Sequence, residues 1–285
     1  MRFVSFTVQG RSSFGALQHG GIVDLGARFG RILPDLATYL EAKALDAAPV
    51  LDAGWDADYR LEEVQLLPVV PKPNKMICVG VNYDEHRQEM GREVASYPTL
   101  FTRFTDTLVG HNGTIVRPRV STSLDFEGEL AFVIGRESKG VKAETAMSHV
   151  AGFTCFNDAT LRDWQRHTSQ FVPGKNFPST AALGPELVTP DELTDFGARS
   201  LTTRLNGQVM QSATLGQMIF SVAQIVAYIT SFTKLLPGDV VATGTPSGVG
   251  AKRTPPVFMK AGDTIEVIID GVGHLKNTIA DELVT

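Results

Sequence analysis

The 285-residue chain is 43% hydrophobic and 20% charged, with a formal net charge of −5 and a pI near 5.7. That composition is ordinary for a globular protein with a real core, and its acidic balance excludes a basic nucleic-acid-binding surface or a polybasic membrane anchor. Neither a cationic-then-apolar leader nor an apolar run of about 18 residues is present, so the expectation is a cytoplasmic protein with no nucleic-acid or membrane partner.

Residues 2–8 read as a strand, Gln9-Gly10-Arg11 as a turn and residues 14–17 as the partner strand; Gly20-Gly21 then leads into a third short strand at 22–25. Leucines and alanines at helical spacing predict a helix from residue 35 to about 46. Leu67-Pro68-Val69-Val70-Pro71-Lys72-Pro73 has little helix potential and reads as a linker. The expected organisation is a small β-rich N-terminal domain over residues 1–70, with no cluster of catalytic residue types, and a larger domain over 71–285. The fold class expected is mostly β with short helices (α+β). Cys78 and Cys155 each lie in an apolar run and read as buried packing residues of a reducing compartment.

In the larger domain three helices are predicted. One spans residues 84–90, with Gly91 as its stop. Another follows Asn157-Asp158 and runs to about 169, with Asp158 near its start. The last begins at Ser221, where Gln224 completes a capping-box pattern, and Val222, Ile225, Val226 and Ile229 form its apolar stripe.

Residues 124–135 read as one strand, on which Glu127 and Glu129 share a face opposite Phe126, Leu130 and Phe132. Two like charges side by side destabilise a strand unless a cation sits between them, and a hard divalent cation takes carboxylate oxygens. The same pair also fits a solvated face. Asp158, at the end of the apolar strand 150–157, offers a third carboxylate, or a helix cap.

His86 and Glu89 stand three apart on the first short helix, so a carboxylate could orient an imidazole base. A solvated His/Glu face has the same spacing. Arg162 and Gln165, also three apart, could hold a substrate carboxylate or carbonyl, or pair on the surface. Lys175 is a cation in an apolar loop, suited to an oxyanion or to solvent. The loop Gly244-Thr245-Pro246-Ser247-Gly248-Val249-Gly250 lacks the Lys-Ser/Thr ending of a phosphate-binding loop, so nucleotide binding is rejected. Its glycines suit a tight turn or close backbone approach, and Thr245 offers a hydroxyl.

Taken in order, these blocks resemble the fumarylacetoacetate hydrolase family over residues 75–282. The likeness rests on Val79-Gly80-Val81-Asn82-Tyr83 with His86 and Glu89, Asp125-Phe126-Glu127-Gly128-Glu129-Leu130, Asn157-Asp158 through Gln165, Gly174-Lys175, and the glycine-rich loop. The resemblance implies a mixed β-sandwich roll, a homodimer and a divalent metal, Mg²⁺ first with Mn²⁺ or Ca²⁺ as alternatives. It makes Glu127, Glu129 and Asp158 the metal ligands and His86 and Glu89 a water-activating dyad on a lid. Tyr83, Arg162, Gln165, Lys175 and Thr245 become substrate contacts, with Lys175 also stabilising an oxyanion. One departure is visible: Pro178 stands where many relatives carry an aspartate soon after the lysine.

The activity this resemblance implies is metal-dependent C–C hydrolysis of a 2,4-dioxo acid of the acylpyruvate, fumarylpyruvate or fumarylacetoacetate kind, through a metal-stabilised enolate. The alternative on the same site is an oxaloacetate decarboxylase, or an isomerase or decarboxylase of aromatic degradation. A non-catalytic metal or oxo-acid binding protein is the third reading, and the small-molecule oxo acid is the partner in all three.

Overall fold

Residues 1–283 are described by a computed structural model. The apolar run after the acidic pair, Gly128–Ile134, is a strand with all seven residues buried. Its side chains alternate between two cores: Leu130, Phe132 and Ile134 enter one cluster, Ala131 and Val133 another. A strand covered on both faces requires an unbroken apolar run, and so the polar alternation stops after Glu129. Each fully buried Leu, Ile or Phe contributes about 1.5–3 kcal/mol.

That strand sits within an eleven-stranded sheet. Its main path runs Gly21–Asp24, Arg11–Gln18, Arg2–Val8, Ala181–Val188, Val150–Asn157, Gly128–Ile134, Val240–Ala242, Met76–Gly80 and Thr99–Thr102. A five-stranded sheet, ordered Gln208–Thr214, Ser200–Leu205, Thr264–Ile269, Gly273–Asp281 and Thr114–Arg117, sends Leu201, Val267 and Leu275 into the cluster that holds Leu130 and Phe132. The result is the mixed β-sandwich roll with short helices. Gly128, between the two glutamates, lets the sheets close: a Cβ there would lie 2.0 Å from Thr203 Oγ1 of the second sheet.

The predicted N-terminal hairpin forms with a tighter turn and a longer partner strand, Arg11–Gln18. It closes from Val8 to Arg11 through Gln9 and Gly10, both at positive φ, the combination that favours a two-residue hairpin turn. The third strand is Gly21–Asp24; Leu25 instead opens a short helix that Asp24 caps by accepting from Ala27 N–H. The next predicted helix is Leu36–Ala44, capped by Asp35.

The expected boundary near residue 70 coincides with no break in sheet or core. Arg2–Val8 pairs with Ala181–Val188, and Phe3, Phe14 and Leu36 share a core with Ala131, Phe156 and Ala242. The predicted linker is itself packed, with Val69 and Val70 buried and Ser5 Oγ donating to Val69 O.

Two elements beside the acidic residues depart from expectation. The strand predicted over 124–135 is interrupted: Leu124–Asp125 pairs with Thr160–Leu161 in a separate ladder, and the main strand starts only at Gly128. Because that ladder consumes Thr160 and Leu161, the helix predicted from 158 to 169 shrinks to the single turn Arg162–Gln165. Asp158 is therefore not its cap. Ser221 does cap Val222–Phe232 with a reciprocal bond from Gln224, and the predicted apolar stripe is buried. The helix Asp84–Glu89 also forms. Among the described residues no helix is long and apolar enough to cross a membrane.

Candidate active site

The acidic residues meet at one end of two neighbouring strands. Gly128–Ile134 pairs antiparallel with Val150–Asn157, which sets Gly128 opposite Asn157 and Glu129 opposite Phe156. Glu127 and Asp158 lie just beyond that ladder, joined by Asp158 N–H donating to Glu127 O at 2.8 Å. One carboxylate oxygen from each of Glu127, Glu129 and Asp158 lies within 4.8 Å of the others, and all three residues are buried.

Their electrostatics differ. Glu127 meets Lys175 Nζ at 2.6 Å and Arg162 Nη1 at 2.7 Å. Burial alone would raise its carboxyl, but the Lys175 and Arg162 charges outweigh that effect and lower it to about 2. Asp158 pairs with Lys175 at 2.5 Å and with the Arg103 guanidinium. Glu129 accepts from Gly244 N–H at 2.8 Å but forms no ion pair among the described residues. Burial, then the neighbouring Asp158 and Glu127, push its carboxyl well above the usual range.

Four buried carboxylates (Asp125, Glu127, Glu129, Asp158) thus face three buried cations, Arg103, Arg162 and Lys175. A divalent cation would hold Glu129 ionised and cancel the like-charge repulsion, and three carboxylate oxygens are the donors that hard divalent cations take. The donor set fits such an ion.

Lys175 lies at the end of the short helix Val172–Lys175 rather than in a loop, and is 1% exposed. Its ammonium is directed at Glu127 Oε2, Asp158 Oδ2 and, at 3.4 Å, Asp158 O. The attraction of Asp158 and Glu127 overcomes desolvation by burial and raises its pKa, so the group stays charged. The geometry commits it to two of the three would-be metal ligands.

The base pair is formed. His86 is 4% exposed, and its Nδ1 lies 2.8 Å from Glu89 Oε2, while Glu89 Oε1 accepts from Gly248 N–H at 3.0 Å. A carboxylate only accepts, so Nδ1 carries the proton and Nε2 is left as the basic nitrogen. The segment before this helix is anchored: Asn82 Nδ2 donates to Phe220 O and Thr243 O, and its Oδ1 accepts from Phe220 N–H.

A cavity of about 530 Å³ brings these groups together, with His86, Glu127, Glu129, Arg162, Gln165, Lys175 and Thr245 on its wall and Phe101, Phe171 and Phe220 as apolar lining. Arg162 is held by Asp125 at 2.7 Å through Nε and by Gln165 at 3.1 Å through Nη1. Its Nη2 is buried with no partner. Thr245 Oγ1 is less available, because it donates to Gly128 O and accepts from Gln211 Nε2.

Tyr83 is not brought to this cavity. It is 2% exposed and lines a separate cavity of about 210 Å³ with Gln217 and Ser247. Pro178 is exposed and absent from the cavity wall, so the sequence departure there does not touch the site. Three site residues escaped sequence reasoning: Arg103, Asp125 and Gln211. The only signal for each was a polar side chain inside a strand-like run.

Residues 75–280 match the family described as fumarylacetoacetate (FAA) hydrolase C-terminal. The chain is 40% identical over 266 residues to the human protein named oxaloacetate tautomerase FAHD2A, mitochondrial, covering 91% of this chain and 84% of that one. It is 42% identical over 226 residues to oxaloacetate tautomerase YisK of Bacillus subtilis (strain 168), covering 78% and 75%. Among solved structures, fumarylacetoacetate hydrolase from psychrophilic Exiguobacterium antarcticum aligns with a TM-score of 0.83 at 33% identity over 99% of this chain and 100% of that one. Maleylpyruvate hydrolase from Sphingobium sp. SYK-6, in complex with manganese (II) ion and pyruvate, aligns at 0.79 and 26% identity over the same shares. This chain belongs to the fumarylacetoacetate hydrolase family.

Proposed function

We propose that the protein is a Mg²⁺-dependent enzyme of 2-oxo acids that interconverts the enol and keto forms of oxaloacetate or a close dicarboxylic relative. The observation that carries this reading is that one cavity is lined by Glu127 and Glu129, which Asp158 joins from behind, by His86, which Glu89 holds, and by Arg162, whose buried Nη2 has no partner. The names of the relatives at 38–42% identity point to the same substrate.

Glu127, Glu129 and Asp158 would hold the cation, which supplies Lewis acidity for the substrate's 2-oxo and carboxylate oxygens. Arg162 Nη2, with Gln165 beside it, binds and orients a substrate carboxylate. His86 Nε2 takes the proton from the enol or from the carbon next to the carbonyl and returns it to the other atom. Glu89 keeps Nδ1 protonated and the ring in place. Lys175 fixes Glu127 and Asp158 instead of meeting the substrate. The aromatic lining keeps bulk water from the reacting carbon.

Hydrolytic cleavage of a longer 2,4-dioxo acid is the second reading, with His86 Nε2 taking its proton from water. The cavity volume favours it, because 530 Å³ lies in the range of larger ligands and leaves room beyond a four-carbon acid. A homodimer and a cytoplasmic location belong to the proposal on the family resemblance; light scattering tests the first.

The deciding experiment follows ultraviolet absorbance of enol oxaloacetate, acylpyruvates and fumarylpyruvate with Mg²⁺ or chelator, alongside a coupled pyruvate assay. Enol decay accelerated by Mg²⁺ without pyruvate release identifies the tautomerase, and pyruvate release from acylpyruvates identifies the hydrolase. Inertness towards every 2-oxo acid refutes both.

A further inference from the structure

The glycine-rich loop clamps anions, but they are the protein's own. Gly244 N–H donates to Glu129, Gly248 N–H to Glu89, Gly250 N–H to Asp125 Oδ1 at 2.8 Å and Ala251 N–H to Asp125 Oδ2 at 2.9 Å. Of these carboxylates, Glu129 lies on the cavity wall, whereas Glu89 and Asp125 do not. The Asp125 side chain is 0% exposed and meets Arg162 Nε at 2.7 Å. Four donors therefore converge on this one carboxylate, counting Phe126 N–H at 2.9 Å.

We propose that Asp125 is a positioning residue: it fixes Arg162 through Nε so that Nη2 is presented to the substrate carboxylate. This rests on Arg162 binding that carboxylate, as the proposed function has it. The guanidinium is a planar fork, and its orientation is set once Nε and one terminal nitrogen are held. Asp125 holds Nε, while Glu127 and Gln165 hold Nη1. The clamp on Asp125 is itself rigid, because Gly250 admits no side chain: a Cβ there would lie 2.6 Å from Asp125 Oδ1 and 1.8 Å from Val257 O. The loop's geometry thus reaches the substrate site through Asp125.

The test compares the full chain with Asp125→Asn, Arg162→Gln and the double variant, each saturated with Mg²⁺. Oxaloacetate kinetics are measured together with calorimetric binding of oxalate. Asp125→Asn is expected to raise KM and the oxalate Kd about tenfold, as loss of one charge-assisted contact does. Its kcat should change less than about threefold, the split that separates binding from chemistry. In the Arg162→Gln background the Asp125 change should have no further effect, because interacting residues are non-additive. Additive effects, or a fall in kcat at constant KM, overturn the proposal, since a merely structural role would produce those. Where Asp125→Asn does not fold, Asp125→Glu keeps the charge, displaces the carboxylate and reads the same KM. Oxalate coupling in an enzyme inert towards oxaloacetate would sink the proposed reaction and leave the positioning role standing. Turnover without coupling would do the reverse.

Discussion

Lys175 Nζ stands 2.5 Å from Asp158 Oδ2, and neither side chain is more than 1% exposed. A charge pair out of water is held by its partner and by the hydrogen bonds around it; removing one member leaves the other buried and unpaired. Lys175 also meets Glu127, so one ammonium balances two of the three carboxylates that would hold the metal.

Lys175→Met should destabilise the chelator-treated protein, but by less than the ~3–5 kcal/mol of a buried charge left with no partner, because Asp158 keeps Arg103 and Glu127 keeps Arg162. Added Mg²⁺ should restore more stability to this variant than to the wild type, because it supplies the missing charge. Thermal unfolding with and without Mg²⁺ measures both. Equal losses under the two conditions would refute this account of the charge balance.

Glu129 behaves oppositely, being the buried carboxylate without a cation. In chelator, Glu129→Gln should unfold at a higher temperature than the wild type, because it removes an acid that burial, Asp158 and Glu127 all disfavour as an anion. At 100 times its Kd a ligand adds about 2.7 kcal/mol to the wild type, and the variant should lose most of that gain. A variant that Mg²⁺ stabilises as strongly as wild type would remove Glu129 from the metal site.

Loss of the base should cost rate and spare the fold. His86→Ala is expected to lower kcat by about 10²–10⁴-fold, the usual range for general acid–base catalysis, with little change in Tm. Glu89→Gln, which leaves the imidazole but not its carboxylate, should cost less. Single-turnover absorbance with saturating Mg²⁺ separates the two variants. Wild-type rates in His86→Ala would end its assignment as base.

A pH effect on stability is expected away from the site, at His111. Burial, then His274 and Lys276, lower its pKa below 6.5, and its Nδ1 accepts from Lys276 N–H at 3.2 Å, a bond the protonated ring cannot make. A histidine whose folded pKa lies below its unfolded value contributes stability that is present above pH 6.5 and is lost as pH falls through the folded value. Urea midpoints between pH 7.5 and 5 should fall in the wild type and less so in His111→Asn. Parallel slopes would place the titration elsewhere.

What the sequence made legible was local. The hairpin at Gln9-Gly10, the Ser221 cap and the His86/Glu89 spacing depend on neighbours a few residues apart, whereas the carboxylate trio was named through the family resemblance, the residues alone leaving a solvated face and a helix cap open. Arg103 and Asp125 were not visible, because their partners Asp158 and Arg162 lie 55 and 37 residues further along the chain. Only the ladder between Leu124–Asp125 and Thr160–Leu161 brings Arg162 beside Asp125. That ladder also explains why periodicity overestimated both the strand at 124–135 and the helix after Asp158: long-range pairing overrode local pattern. Tyr83 was misplaced for a related reason, since a motif gives proximity in sequence but not which cavity a side chain lines.

The pairing of Arg2–Val8 with Ala181–Val188 bears on how the protein can be cut. A fragment starting near residue 71 would strip the partner strand from Leu187 and Val188 and remove Phe3, Phe14 and Leu36 from the core that covers Leu183 and Leu187. An apolar strand opened in this way recruits other chains. The first seventy residues thus act as a guard against self-association, and a shortened version bearing every catalytic group would be expected to precipitate before it could be assayed.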